Sequence, residues 1–554
     1  MSRRSLVFLL AITSVAFLLR FYRLSFFPPL NADEAAIGYN AYSLLRTGLD
    51  EHGSPWPIHF KSFGDYKPGL IFYLVMPFVH FMGLSTLAVR LFPAALGVLN
   101  VPAMYLLTKE LVKKDKGGRE ELVALSAALL LAISPWHIHF SRGAWEVNVA
   151  SFLITVAVWL FMRWTHTQSR LVLLLSIFGF VLSLYTYHAA RVVVPLLALG
   201  TALIYKPQLK SRLRELVPAA ILALLLVSPL IIEFTGPAGF SRASGVSIFA
   251  DEGIVNRINE QRGNTSDPSS TLTRLRYNKV FGYSRAFLEN YFEHFSPSFL
   301  FLSGDEIQRN KVPGFGQLYL IQLPLIILGT WHVWKRGLES NGRVLLWWLA
   351  VSPVAAALTF QSPHALRAQP MVIPLTVLSA YGLVPLVNFI SRHLSASLRA
   401  AGYALVVAAI AVGTARYLHS YYVRLPVELP FSSQYGVKEL VEVVRPLSGE
   451  YEKIVVTDRY DQPYILFLFY MNYSPKTFQR EHTLSPAEFG FLTVRNFANF
   501  EFRRVNWEED WKANTLLVGS PDELPDGVSS LKTIKFPNGE DVFLIVDPKI
   551  NEKT

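Results

Sequence analysis

The sequence predicts a polytopic α-helical membrane bundle of about eleven spans, with a small α/β domain at its carboxy end. Three observations lead there. Hydrophobic residues make up 51% of the 554 positions and charged residues 17%, against about a quarter charged in ordinary soluble chains. Mean hydropathy is +0.31. The apolar residues also fall in long runs rather than at helical or strand spacing, as in segments surrounded by lipid.

Runs that could span lie at 5–21, 87–108, 121–135, 145–162, 171–187, 190–205, 215–233, 316–334, 343–360, 367–389 and 398–418. Arg3 and Arg4 precede the first, and no small-x-small cleavage site follows it, so an uncleaved helix with a cytoplasmic amino terminus is expected. Alternate loops are then basic. They hold Lys109, Lys113, Lys114, Lys116 and Arg119; Arg163 and Arg170; Lys206, Lys210, Arg212 and Arg214; Lys335, Arg336 and Arg343; and Arg392 and Arg399. All fall on one side, the cytoplasmic one. This distribution explains the net charge of +11 without nucleic acid. Cysteine is missing from the sequence, which excludes disulfides and thiolate metal sites.

Residues 68–84 are apolar enough to cross, but a crossing there would move the five-charge loop to the outside. They are expected to lie at the outer interface or to re-enter there, and 34–46 to form an amphipathic interfacial helix. The outer side then receives the loop 22–86, tight turns near 136–143, 188 and 361–366, the loop 234–315, and everything after about 418. The expected division is a bundle over 1–418 and a soluble extracytoplasmic domain over 419–554. In the latter, 435–444 reads as an amphipathic helix, and 453–457, 514–518, 531–536 and 541–546 as strands. The last two flank Pro537-Asn538-Gly539-Glu540, an Asn-Gly hairpin signal.

The chemistry-bearing residues crowd at this outer rim. Asn31-Ala32-Asp33-Glu34 follows the first span, and a solvated helix start is its plain reading. Gly64-Asp65-Tyr66-Lys67-Pro68 ends the same loop. Lys67 before proline is held extended, where it could meet a lipid-borne phosphate or simply snorkel at the interface. His-x-x-Arg recurs at three outer span ends: His139/Arg142, His188/Arg191 and His364/Arg367. Each pair at helical spacing shares a face and could cradle phosphate, or anchor the interface beside Trp136, Tyr185 and Tyr187. Glu146 could cap a helix, pair with an arginine or act in a site. Asp305 and Glu306 read as a turn. No His-Glu-x-x-His spacing, Walker loop or dinucleotide fingerprint occurs, and a divalent metal is left open. The spans hold almost no midplane charge, unlike those of ion-coupled transporters.

On these residues the chain resembles the GT-C superfamily of membrane glycosyltransferases, and within it the bacterial relatives of protein O-mannosyltransferases and aminoarabinose transferases (glycosyltransferase family 39). The marks are Asp33-Glu34, Lys67-Pro68, Ser134-Pro135-Trp136-His137 with Ser141-Arg142, Tyr185-Thr186-Tyr187-His188 with Arg191, Pro363-His364-Ala365-Leu366-Arg367, and Asp461-Gln462-Pro463-Tyr464. The resemblance implies inverting transfer of a hexosyl or pentosyl group from a polyprenyl-phosphate donor to a lipid, glycan or protein acceptor. Asp33 would be the general base, with Glu34 beside it. Lys67, Arg142, Arg191, Arg367, His139, His188 and His364 would face the donor phosphate, and Glu146 or Asp65 would be a second acid. Some relatives carry glutamate where this chain has Tyr66, so a metal role tied to that position does not carry over. The alternatives are a lipid-carrier glycan polymerase or ligase, a lipid-linked oligosaccharide flippase or exporter, and a scaffold presenting the tail domain.

Overall fold

The computed structural model describes residues 2–112, 120–236, 245–335, 339–460, 462–486, 492–512 and 514–551. Lys113, Lys114, Lys116, Arg119, Arg336 and Asp461 lie outside them. The chain packs as two units: Met1–Phe21, Ala95–Ser141 and Trp145–Leu418 form the first, and Tyr22–Ala94, Arg142–Ala144 and His419–Thr554 the second. Residues 22–94 therefore pack with the carboxy-terminal residues, a different division from the expected boundary at 418/419.

The first unit is a helical bundle. Among the described residues, six helices are long and apolar enough to cross a membrane: Arg3–Phe21, Thr86–Val112, Glu146–Thr167, Leu213–Phe234, Gln369–His393 and Ala396–Glu428. Glu120–Ala132 and Pro135–Arg142, bent by 52°, supply a seventh if they count as one span. The other expected spans coincide with helices too short to cross upright, which takes about 20 residues. Arg170–Leu184 and Ala190–Ile204 have 15 residues each, Gln322–Lys335 has 14 and Ser340–Val351 has 12. Among the described residues, six or seven of the eleven expected spans thus meet the length for an upright crossing, and the chain is a multi-pass membrane protein. Proline explains two of the shortfalls. Pro135 opens a new helix after Ala132, with Ser134 before it pushed out of the helical conformation, and Pro353, which has no N–H to donate to the helix, follows the end of Ser340–Val351.

Two features show how tightly this unit is built. The Gln322–Lys335 and Val372–His393 helices meet backbone to backbone: a Cβ on Gly329 would lie 1.9 Å from the Leu378 carbonyl, and one on Gly382 1.9 Å from that of Leu325. Such close approach is how small residues join helices in lipid. At the 52° bend, the buried Arg20 guanidinium donates to the carbonyls of Ala132 (2.9 Å) and Leu131 (3.2 Å) and meets His137 Nδ1 at 2.7 Å. Carbonyls released by the break are thus satisfied internally, as hydrocarbon surroundings require.

The second unit is α/β. Among the described residues its main sheet has seven short strands, none longer than six residues: β3 (Lys453–Val456), β4 (Thr483–Pro486), β5 (Leu492–Phe497), β6 (Phe500–Phe502), β7 (Thr515–Gly519), β8 (Lys532–Lys535) and β9 (Asp541–Val546), in the order β4-β5-β6-β3-β7-β9-β8.

 
The strands on either side of β3 run parallel to it, and the remaining neighbours are antiparallel. The expected strands near 453, 514, 531 and 541 match β3, β7, β8 and β9, with Gly539 at φ 92° in the hairpin turn. Strands β4 to β6 were not anticipated. A separate hairpin in the first loop, β1 (His59–Ser62) and β2 (Asp65–Pro68), pairs Phe60 with Lys67. After it, Leu70–Met82 forms a 13-residue apolar helix, too short to cross the bilayer.

Candidate functional site

The site is built in the second unit around the start of the Ala32–Thr47 helix. Asn31 is its N-cap: its side chain accepts from Glu34 N at 3.0 Å, and Glu34 Oε2 accepts from Asn31 N at 3.2 Å, a reciprocal capping box. Glu34 is 1% exposed and Arg90 is fully buried. Arg90 grips both carboxylate oxygens, Nε to Oε1 at 2.7 Å and Nη2 to Oε2 at 2.6 Å. Its remaining donors hold the carbonyls of Leu24, Pro28 and Pro29, and Ala144 N donates to Glu34 Oε1 at 2.9 Å. Glu34, expected beside Asp33 as a reacting acid, is instead a buried strut. Its oxygens are occupied by donors that set the helix start.

Asp33 is the residue this frame presents. Its side chain retains 24% exposure and is ion-paired through Oδ1 to Lys67 Nζ. Lys67 sits on β2, in the extended conformation expected before Pro68. The turn between β1 and β2 has Phe63 and Gly64 both at positive φ, 59° and 78°, the pattern of a two-residue hairpin turn. It brings the Phe63 ring to 4.8 Å from Lys67 Nζ, within cation–π range. Asp65 opens the same strand and accepts from Tyr66 N. Two residues 34 positions apart are thus joined at one partly open spot. A cleft of about 520 Å³ in the same unit is lined by Pro29, Leu30, Gln434, Tyr435 and Tyr470 among others. Gln434 Oε1 also accepts from Ala32 N at 2.7 Å, so the cleft adjoins the helix start.

Carboxy-terminal residues buttress this helix. Tyr39 donates to the Tyr473 carbonyl, and Gln479 Nε2 to Ser43 Oγ, Thr47 Oγ1 and the Asp50 carbonyl. Behind them lies a group the sequence reading passed over, Asp50-Glu51-His52. Glu51 is fully buried and hydrogen-bonded by Asn40 Nδ2 at 3.0 Å, with Tyr464 Oη at 3.5 Å. Burial, then the neighbouring Asp50, pushes its carboxyl up to about 8 against the Asn40 and Lys67 influences. His52 meets His482 at 3.3 Å, and burial chiefly lowers it to about 3.

These two shifts act in opposite directions. The folded chain keeps the Glu51 proton where the unfolded chain has lost it, so this contribution declines from pH 4.5 upward and levels off above about 8. The His52 contribution is present above pH 6.5 and is lost as pH falls toward 3. Between pH 6.5 and 8 Glu51 is the one of the two that titrates. Glu51→Gln should therefore flatten the fall in Tm across that window, measured on the purified full chain; an unchanged slope would show that another group sets it.

The other candidate residues are placed as follows. Arg142, fully buried, donates Nη2 to the carbonyls of Tyr22 (2.7 Å) and Phe27 (3.1 Å) and lies over the rings of Tyr421 and Tyr422. Its observed work is to brace the 22–27 segment. In the bundle, His139 bonds the Arg309 carbonyl at 3.0 Å, and Glu146 is buried at the first residue of its helix. Arg191 Nη1 meets His188 Nδ1 at 3.1 Å, so this pair shares a face as its spacing predicts. His364 and Arg367 belong to a buried network. Asp305 Oδ2 accepts from Ala365 N at 2.6 Å and lies 3.9 Å from His364 Nδ1, while Arg367 donates to Thr359 Oγ1 at 2.7 Å. Asp305, read as an ordinary turn residue, fixes the 364–367 turn. Among the described residues no group of three or more His, Cys, Asp or Glu is arranged to hold a metal ion.

The family model of dolichyl-phosphate-mannose-protein mannosyltransferases matches residues 10–236. The structure of ArnT from Cupriavidus metallidurans in the apo state aligns with a TM-score of 0.53 at 13% identity, covering 98% of each chain. The chain has the GT-C fold. ArnT bound to undecaprenyl phosphate aligns at 0.51 and 12% identity, covering 98% of this chain and 97% of that one. The archaeal oligosaccharyltransferase AglB from Archaeoglobus fulgidus, in complex with an inhibitory peptide and a dolichol-phosphate, aligns at 0.52 and 15% identity. That match covers 85% of this GT-C chain but 64% of AglB, so the chain spans less than two thirds of the archaeal protein. No curated protein sequence matches the chain.

Proposed function

We propose that this GT-C chain is a glycosyltransferase that moves a sugar from a polyprenyl-phosphate donor to an acceptor hydroxyl on the extracytoplasmic side, with inversion. The observation that carries the reading is the Asp33–Lys67 ion pair, partly open and held by a buried frame. The mannosyltransferase family match and the undecaprenyl-phosphate and dolichol-phosphate complexes of the structural relatives support the donor class.

In this mechanism Asp33 Oδ takes the acceptor hydroxyl proton as the acceptor oxygen bonds to the sugar C1. The C1–O bond to the carrier breaks on the opposite face, and its electron pair leaves with the polyprenyl phosphate. Phosphate is a competent leaving group, so the cation that receives its developing charge matters more than a general acid. Lys67 is that cation. The acceptor is a lipid, glycan or protein hydroxyl, and the remaining partners are membrane lipids.

Lys67→Ala should lower kcat/KM for the donor by about 10- to 100-fold, the worth of one hydrogen bond to a charged group, with kcat falling because this cation meets charge that develops in the transition state. Unchanged donor dependence in purified protein would reduce Lys67 to an interfacial anchor.

A further inference from the structure

The segment between the Leu213–Phe234 and Gln322–Lys335 helices carries an apolar surface that no span accounts for. Lys279–Glu293 is a helix with two unlike faces. One face packs Tyr283, Ala286 and Phe287 against Ile254 and Ile258 of the Glu252–Gly263 helix. The opposite face, at helical spacing, leaves Phe281 64%, Leu288 50% and Phe292 63% exposed. Val280 on its flank is 75% exposed, and Leu272 and Leu275 in the preceding Thr271–Arg276 helix are 79% and 60% exposed. Soluble surfaces rarely tolerate so continuous an apolar patch. From 271 to 293 the sequence has Arg274, Arg276, Lys279 and Arg285 against Glu289 and Glu293, and Arg285 pairs with Glu289 at 2.7 Å, so the basic excess lies at Arg274, Arg276 and Lys279. The helix is also fixed in height. Asn290 Nδ2 donates to the carbonyls of Ala357 and Thr359, and Tyr291 Oη to that of Ala350. These carbonyls lie at and beyond the end of Ser340–Val351, away from the basic loop that precedes it.

We propose that residues 271–293 lie along the membrane–water interface as a basic amphipathic segment that binds anionic lipid. A short helix with apolar side chains on one side and arginines and lysine beside them suits that plane. At 15 residues and 1.5 Å per residue it is about 22 Å long, too short to cross but long enough to lie flat against headgroups. Its exposed face enters the acyl boundary, and the basic side chains reach up to lipid phosphates. The partner is the bilayer surface rather than the donor, and the inference does not depend on sugar transfer.

The cysteine-free sequence makes the test direct. Phe281→Cys, Leu288→Cys and Phe292→Cys, with Glu260→Cys as the water-facing control, are spin-labelled singly in the full chain in lipid nanodiscs. Labels at the three apolar positions should be relaxed by oxygen and shielded from a nickel chelate, while the Glu260 label is broadened by nickel. Adding phosphatidylglycerol to phosphatidylcholine should increase the shielding at Phe281→Cys. The combined Arg274→Gln, Arg276→Gln and Lys279→Gln substitutions should remove that increase. Nickel broadening at all three positions equal to that at Glu260 would overturn the proposal. So would spin–spin coupling between two copies, which would assign the face to self-association.

Discussion

Asp33→Asn should lower sugar transfer by about a hundred- to ten-thousand-fold, the range for losing a general base, while the chain still folds and inserts. Asn31 and Glu34 make the capping box, and Arg90 locks it. That frame is closed by Asn31, Glu34 and Arg90, so replacing the Asp33 carboxylate by an amide of the same shape leaves those bonds in place. The ion pair adds a second expectation. In the proposed mechanism the donor phosphate competes with Asp33 for Lys67, to which Asp33 is ion-paired, so the Asn variant should bind carrier phosphate at least as tightly as the parent. Lost turnover with retained carrier binding is the signature of a base. Lost turnover together with lost binding would indicate a collapsed site, and parental turnover would remove Asp33 from the mechanism.

The second large effect is on folding. Arg90→Met should destabilise the chain by about 3–5 kcal/mol, the cost of stranding a buried charge. Glu34 would keep its carboxylate in a 1% exposed position without its bidentate partner, and the carbonyls of Leu24, Pro28 and Pro29 would lose their shared donor. Such a loss is a large part of ordinary folding stability. The expected readout is poor recovery of monodisperse protein and a lowered Tm. Adding Glu34→Gln should recover part of the loss, because a neutral side chain is cheaper to leave buried than an ion. Arg90→Met with the parental Tm would show that the pair carries no net stability.

The two halves of the site were legible separately in the sequence, but their pairing was not. Asp33 stands out as a carboxylate just past an apolar run, and Lys67 as a lysine before proline. What joins them is the hairpin His59–Pro68, whose strands lack the usual alternation of apolar and polar residues. Its turn places Phe63, an unusual turn residue, at positive φ. Glu34 looked reactive because its partner Arg90 is hidden in an apolar run. Glu51 went unnoticed because Asp50-Glu51-His52 reads as polar loop, and only the packing of Asn40 and Tyr464 makes it a buried acid.

The fold divides in the same way. Apolar runs mark where the helices are, since each expected span coincides with one, but not where each ends. Breaks at Pro135 and Pro353 shorten segments that hydropathy alone reads as continuous. Long-range packing decides the rest: residues 22–94 join the carboxy-terminal region through contacts such as Gln479 with Ser43 and Thr47, and no local pattern announces them.

The most direct test of the central claim is transfer by the purified chain from polyprenyl-phosphate donors bearing labelled hexoses or pentoses, compared with Asp33→Asn and Lys67→Ala in the same membranes. The account predicts that with one of these donors label leaves the carrier for an acceptor, with the anomeric configuration inverted, and that Asp33→Asn all but abolishes this transfer while Lys67→Ala slows it by about 10- to 100-fold. Label that stays on the carrier with every donor, or leaves it equally in all three proteins, would contradict it.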